Sequence, residues 1–222
     1  MIGLNNKYAV VAGWYPVDKD AGGQSNIISL KNYNQAEIYL MVGATMTKTA
    51  AVTLQQGVSV ASCATSLPFD TYYEQGLKLK YDGASSSVAA AAGETATGAA
   101  TGVGTVYEDR GGYAVLYNWS STAFVDNEVL TFSGGKTAVV DGTLYDEDAM
   151  IPRTATANTF SITQVLDISK IFMIPVNGGM LTDGNDCIAV TIGDPDTCLM
   201  ACFYVLSEPR FSNTPMPTAI YD

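Results

Sequence analysis

Hydrophobic and polar positions alternate with a period of two through the first third of the chain. Ala36, Ile38, Leu40 and Val42 fall on one side of an extended backbone, with Glu37, Tyr39 and Met41 on the other. Val52 and Leu54 repeat the pattern against Thr53 and Gln55. This period, carried by β-branched residues, predicts strands rather than helices. Gly43 and the run Lys31-Asn32-Tyr33-Asn34 read as turns between them. The far end of the chain, from Thr159 to Phe211, has the same build: short apolar runs punctuated by Asn, Asp, Gly or Pro.

The middle differs. From Gly83 to Thr105, 20 of 23 residues are Ala, Gly, Ser or Thr. Ala89 to Ala92 has helix propensity, but Gly93, Gly98, Gly102 and Gly104 interrupt any longer helix. So little side-chain bulk cannot build a core of its own, so residues 83–105 are expected to be an exposed arm. Strands resume at Tyr113–Tyr117, Glu128–Phe132 and Lys136–Val140, with Ser133-Gly134-Gly135 as a tight turn. They predict a small β-subdomain over residues 109–148. The stretch from Glu208 to Asp222 holds Pro209, Pro215 and Pro217 and is expected to run as an extended arm. No amphipathic helix of ten or more residues is predicted.

These elements define an all-β protein. Residues 1–75 and 155–222 form an antiparallel β-sandwich, jelly-roll-like, and residues 76–154 form an insertion with the arm and the small β-subdomain.

Composition narrows the partners. An apolar share of 47% is ample for a core, whereas the charged share of 15% is well below the ~25% of an average domain. Such a surface can be buried against a partner at little charge-desolvation cost. The net charge of −11 and the scattered Lys and Arg disfavour nucleic acid, whose phosphates need clustered basic residues. The longest apolar run, Cys198 to Leu206, is too short for a membrane helix, so no membrane is expected. The apolar stretch from Tyr8 to Tyr15 lacks the length and cleavage site of a secretory signal. The chain is expected to be complete and made in the host cytoplasm.

Candidate chemistry is thin. With no histidine, Ser–His–Asp and Cys–His arrangements and imidazole metal ligands are excluded. Ser/Lys, Thr or carboxylate chemistry has no motif behind it. Cys198 and Cys202 are four apart on a strand, which points both inward but too far apart to bridge. With Cys63 and Cys187 they read as buried, reduced thiols, and no CxxC pair suggests zinc.

Other short motifs have ordinary explanations. Gly98 to Gly104 contains a GxG but no following lysine, so it reads as a linker rather than a phosphate loop. Asp183-Gly184-Asn185-Asp186 and Gly193-Asp194-Pro195-Asp196 offer clustered oxygens but read as hairpin turns. Asp126, Glu128, Asp146 and Glu147 supply carboxylate pairs, and no spacing selects one. Asn118-Trp119-Ser120 matches a glycosylation acceptor without a secretion signal. Trp14 and Trp119 could stack on a sugar but read as half-buried sheet residues. No catalytic, cofactor-binding or metal residue is assigned, and no enzyme or cofactor is expected.

The two end blocks carry a resemblance. Ser25-Asn-Ile-Ile-Ser-Leu-Lys-Asn-Tyr33, Ala36-Glu-Ile-Tyr-Leu-Met-Val-Gly43 and Val52-Thr-Leu-Gln-Gln-Gly57 resemble the opening of tailed-bacteriophage capsid decoration (cement, or head auxiliary) proteins. Phe160-Ser-Ile, Leu166-Asp, Phe172-Met-Ile-Pro-Val and Tyr204-Val-Leu-Ser-Glu-Pro-Arg210-Phe211 are similar to their closing block. The likeness covers about the first and last 60 residues, and residues 70–156 resemble nothing we can name. It implies a β-sandwich present in many copies on the capsid exterior of a virion, without enzymatic activity. The partners it implies are the major capsid protein and the chain itself, as a homo-oligomer (trimer or dimer). Two other classes remain open: a tail, baseplate or fibre-attachment virion protein, and a carbohydrate-binding module.

Overall fold

The computed structural model describes residues 8–82, 90–100, 102–120, 124–142, 149–163, 169–210 and 220–221. The chain divides into two compact units. One comprises residues 1–73, 152–164 and 171–222; the other comprises residues 74–151 and 165–170. The protein is all-β and antiparallel, and a 3-10 turn at Gly178–Met180 is its one helical element among the described residues.

The first seven strands are β1 (Ala9–Asp18), β2 (Gly23–Gln24), β3 (Ile28–Ser29), β4 (Tyr33–Val42), β5 (Ala50–Gly57), β6 (Thr65–Ser66) and β7 (Thr71–Gln75). The next six are β8 (Leu77–Asp82), β9 (Thr95–Gly98), β10 (Val103–Asp109), β11 (Tyr113–Tyr117), β12 (Val129–Phe132) and β13 (Thr137–Val140). The last six are β14 (Met150–Thr154), β15 (Thr159–Ile162), β16 (Lys170–Asn177), β17 (Cys187–Ile192), β18 (Leu199–Pro209) and β19 (Ile220–Tyr221).

The first unit is a sandwich. One sheet has the order β1-β18-β4-β16-β7-β14, and the other has the path β15-β5-β17-β3-β19 with β2 and β6 at its margins. β4 pairs with β18 in the first sheet while β5 pairs with β17 in the second. The chain passes from sheet to sheet between β4 and β5 and again between β17 and β18. The two pairs are thus one ribbon folded over, the device of a jelly roll.

Strict alternation places Ala36, Ile38, Leu40 and Val42 inward, and Met200, Cys202, Tyr204 and Leu206 inward opposite them. Phe160 of β15 stacks on Tyr72 of β7, ring centroids 4.0 Å apart, and Phe172 of β16 packs beside it. Tyr204 reaches through the core to the Ser25 hydroxyl at 2.5 Å, and that hydroxyl accepts a hydrogen bond from Val190 N. Buried polar groups are thereby paired across the two sheets.

The second unit is a closed six-stranded barrel, in cyclic order β10-β11-β8-β13-β12-β9. Its core holds Leu77, Leu79, Trp119, Phe124, Leu130 and Phe132 beside Ala90, Ala96, Ala114 and Ala138. A barrel this narrow has room only if small residues face large ones. A Cβ on Gly102 would sit 2.6 Å from the Phe124 ring, and one on Gly104 would sit 2.9 Å from Leu116.

Four expectations need correction. Residues 83–105 are not an exposed arm where they are described: Thr95–Gly98 and Val103–Thr105 are barrel strands, and Ala96 is fully buried. Small residues cannot form a core alone, but they complete one lined by rings from elsewhere in the unit. Residues 83–89 and 101 of that segment lie outside the described residues. The small β-subdomain is accordingly larger than residues 109–148, since β8, β9 and most of β10 precede it.

Tyr33 and Asn34 are not turn residues. They open β4, where the Tyr33 ring is fully buried and its backbone sits opposite Pro209. The C-terminal stretch is not wholly an arm, because β18 continues through Pro209 and Ile220–Tyr221 pair with β3. Residues 211–219 and 222 lie outside the described residues.

Candidate interaction surface

The alternation that buries one side of β4 and β18 leaves the other side outward, and there it is unusually apolar. Across three strands the rows read Val10–Val205–Glu37 and Ala12–Phe203–Tyr39, followed by Ala201–Met41. On β16 the outward positions are Ile171, Met173 and Pro175. Val10 is 61% exposed, Met41 45% and Leu199 54%. An antiparallel sheet with a solvated outer face normally carries polar residues at these positions.

The Tyr39 and Phe203 rings stack with centroids 4.9 Å apart and planes within 8°. The Tyr39 hydroxyl donates to Glu37 Oε2 at 2.8 Å, so the one carboxylate in these rows is tied down along the sheet. Burial first, and then the neighbouring Glu37 carboxylate, raise the Tyr39 phenol to about 12. The hydroxyl stays protonated and donating throughout the physiological range.

β1 forms the edge of this sheet. It carries no charged side chain from Tyr8 to Val17, and Tyr15 is 78% exposed. Register shifts after Ala12 and after Trp14 break its ladder with β18, and Pro16 removes a donor. These irregularities blunt the edge against open-ended strand addition. The face, rather than the edge, carries the uninterrupted apolar rows.

A cleft of about 340 Å³ adjoins the face, lined by Gln35, Glu37, Phe69, Asp70, Asn177 and Met180 among others. It mixes carboxylates with amides and assembles no nucleophile–base pair.

The residues singled out by sequence fall in structural roles. Cys63, Cys187, Cys198 and Cys202 are buried and unbridged. Burial pushes the Cys63 thiol up to about 12, and burial with the adjacent Asp186 carboxylate does the same to Cys187. Glu128 accepts from Val125 N and Ala100 N, and Asp126 accepts from Gly142 N, so both carboxylates tie loops at the barrel. Asp146 and Glu147 lie outside the described residues. Lys48 bridges Asp194 and Asp196, closing that turn, and Asp186 pairs with Lys31. Gly98 and Gly104 belong to barrel strands and do not form a phosphate loop.

Trp119 is 7% exposed, its indole N–H donating to Gln75 O, so its ring is closed to a sugar. Trp14 is similarly covered. Among the described residues no group of three or more metal-ligating side chains comes together, and no helix is long and apolar enough to cross a membrane.

One feature of the barrel unit had no sequence signal. Lys170 Nζ lies 2.7 Å from Glu74 Oε1, with both side chains withdrawn from solvent, and 4.7 Å from the centre of the Trp119 ring. Glu74 also accepts from Asn118 N. Nothing in the local sequence distinguishes these two charges from exposed ones; only the fold brings them together.

Comparison with known proteins found no matching protein-family model, no matching curated protein and no matching solved structure.

Proposed function

We propose that this chain is a non-enzymatic structural protein of a phage virion: a capsid decoration protein that binds the outer surface of an assembled head and stabilises it. The observation that carries the reading is the outward face of the six-stranded sheet, apolar across four strands, its charges being Glu37 and, at the margin opposite Leu199, Asp18. A face of this kind is suited to contact rather than to solvent. The resemblance of the two end blocks to cement proteins supports the same reading, and the net charge of −11 favours a partner other than DNA. Its partners would be the major capsid protein and further copies of itself, and its location the capsid exterior.

A ligand that binds only the assembled shell stabilises it by mass action, each tenfold excess over Kd adding about 1.4 kcal/mol per site. Many sites on one particle multiply that effect. The test is to purify particles lacking this protein, add it back, and record heat-induced DNA release. A clear rise in release temperature, with the protein recovered on heads, is the expected outcome. Failure to bind shells, or recovery on tails alone, overturns the cement reading, and the second result replaces it with a tail component.

A further inference from the structure

We infer that the outward face of the six-stranded sheet is where a second copy of this chain docks, sheet against sheet, about a two-fold axis near Phe203. The inference does not rest on the capsid reading, because a dimer of this kind forms in solution without a shell; on a head the same face would join neighbouring copies, and the capsid protein would be met elsewhere on the molecule.

Three observations select a second copy as the occupant. The first is area. At the usual strand spacing and rise, the four strands β1, β18, β4 and β16 present a face about 19 Å wide and 27 Å long, roughly 500 Å². Packed on its own copy it buries about 1,000 Å² in total, the lower bound for a specific protein interface.

The second is charge. The molecule carries −11 overall, yet the rows of this face hold only Glu37, whose carboxylate accepts the Tyr39 hydroxyl, and, at the margin opposite Leu199, Asp18, which accepts from Cys198 N. A strongly charged partner surface of either sign would find little to pair with here and would lose its hydration on docking. A second copy presents the same near-neutral apolar rows. The third is shape. Flat sheets pack at about 10 Å through interdigitating side chains, and the stacked Tyr39–Phe203 pair beside the small Ala12 and Ala201 supplies a ridge and hollows. A two-fold axis makes one such set complementary to itself.

The isolated full-length protein tests this without any shell. Light scattering after size exclusion should show a dimer that dissociates on dilution. Phe203→Glu and Met41→Glu should each leave a monomer with an unchanged circular dichroism spectrum. Met41 is 45% exposed, so its variant folds even if the Phe203 change disturbs the sheet.

A second measurement uses the thiols. All four native cysteines are buried, so Ala201→Cys introduces the one reactive thiol on this face. A flexible bis-maleimide should convert that variant to covalent dimer, whereas Thr131→Cys on the barrel should stay monomeric.

Wild-type protein that remains monomeric at high concentration overturns the inference. So does a dimer that survives Phe203→Glu and Met41→Glu, a trimer, or an Ala201→Cys variant that does not cross-link. The two proposals fail separately. A monomer that still protects shells sinks this one alone, and a dimer that ignores shells sinks the other.

Discussion

In the sandwich, most inward positions of both sheets are filled by large side chains, chiefly Ile, Leu, Val, Phe and Tyr; in the barrel, Ala and Gly share the interior with Leu, Val and aromatic rings. Tyr72, Phe160 and Phe172 meet as neighbours in the first. In the second, Phe124 lies against a glycine and Leu116 against another. The sandwich closes by laying one sheet on another, which leaves space for large side chains from both. A six-stranded barrel closes on itself, and its narrow interior admits bulk from only some of its strands. The two units also differ in what polar groups they bury. The sandwich buries neutral ones, four thiols and the Tyr204 hydroxyl, whereas the barrel buries the ion pair Glu74–Lys170.

That last difference predicts the largest effect. Lys170→Met takes from the buried Glu74 carboxylate the ammonium that lies 2.7 Å away and should destabilise the barrel by about 3–5 kcal/mol. Adding Glu74→Gln removes the charge while keeping an acceptor for Asn118 N, and should recover most of the loss. The two tryptophans allow the units to be read separately, since Trp119 lies in the barrel core and Trp14 in the sandwich. In a Trp14→Phe background, urea unfolding followed by Trp119 fluorescence should show the shift. Equal stability of Lys170→Met and the parent would mean that this pair is not buried as described.

Overpacking comes next. Gly102→Ala puts a methyl 2.6 Å from Phe124 Cδ1 and should cost about 1–3 kcal/mol, with Phe124→Leu in the same chain giving part of it back. If residues 102–105 were an exposed arm, neither change would move the urea midpoint.

These two predictions touch the places where sequence reasoning fell short. The sandwich was legible because β4, β5 and β18 alternate strictly, one side buried throughout, and period two is visible along a single strand. The barrel was only partly legible. Tyr113–Tyr117 shows as a strand because three bulky residues stand together, but Thr95–Gly98 has no bulk to reveal which side is inward. Its burial depends on Phe132 and Leu130, which pair with it from a strand more than thirty residues away. Low complexity therefore measured the size of the cavity rather than the absence of a core. Lys170 and Glu74 were illegible for a related reason: a charge is expected outside unless its partner is known, and the partner is 96 residues off. The outward sheet face was readable in part, since Tyr39, Met41 and Phe203 sit on the side of the alternation left unburied.

The buried thiols sharpen the comparison through pH. All four lie in the sandwich unit and none in the barrel. An unfolded thiol ionises near 9.0, while folding raises Cys63 and Cys187 to about 12. As pH rises the unfolded chain releases its protons first. The sandwich is therefore fully stable below about pH 9 and weakens toward pH 12, by about 1.4 kcal/mol per pH unit for each thiol. In the barrel the corresponding group is Tyr81, raised by burial and by its hydrogen bond to Asp109 from an ordinary value of 10.0. Its decline should begin about one pH unit later. Melting followed by Trp14 in a Trp119→Phe background, against Trp119 in Trp14→Phe, should resolve the two onsets. A common onset would show that the thiols do not set the alkaline limit.

The smallest effect is expected from the ion pair that looks most like the largest. Lys48 sits 3.2 Å from Asp194 and 3.6 Å from Asp196, a closer count of charges than Lys170 has, but its side chain is 55% exposed and theirs 51%. Water and salt screen the attraction at that exposure, and holding three side chains together costs rotamer freedom. The pairing raises the Lys48 amine, and the Asp196 backbone amide first and Lys48 second lower Asp194, yet the ionised groups are nearly as well served by solvent when the pair is broken. Lys48→Met should therefore leave the urea midpoint of the sandwich within experimental scatter, at low salt and at high. The turn it closes is held independently, by Asp196 N donating to Asp194 and by the Lys48 and Thr47 backbone amides donating to Pro195 O. A shift comparable to that of Lys170→Met would mean that the Gly193–Asp196 turn is anchored by charge rather than by its backbone. Burial would then not be what separates the two lysines.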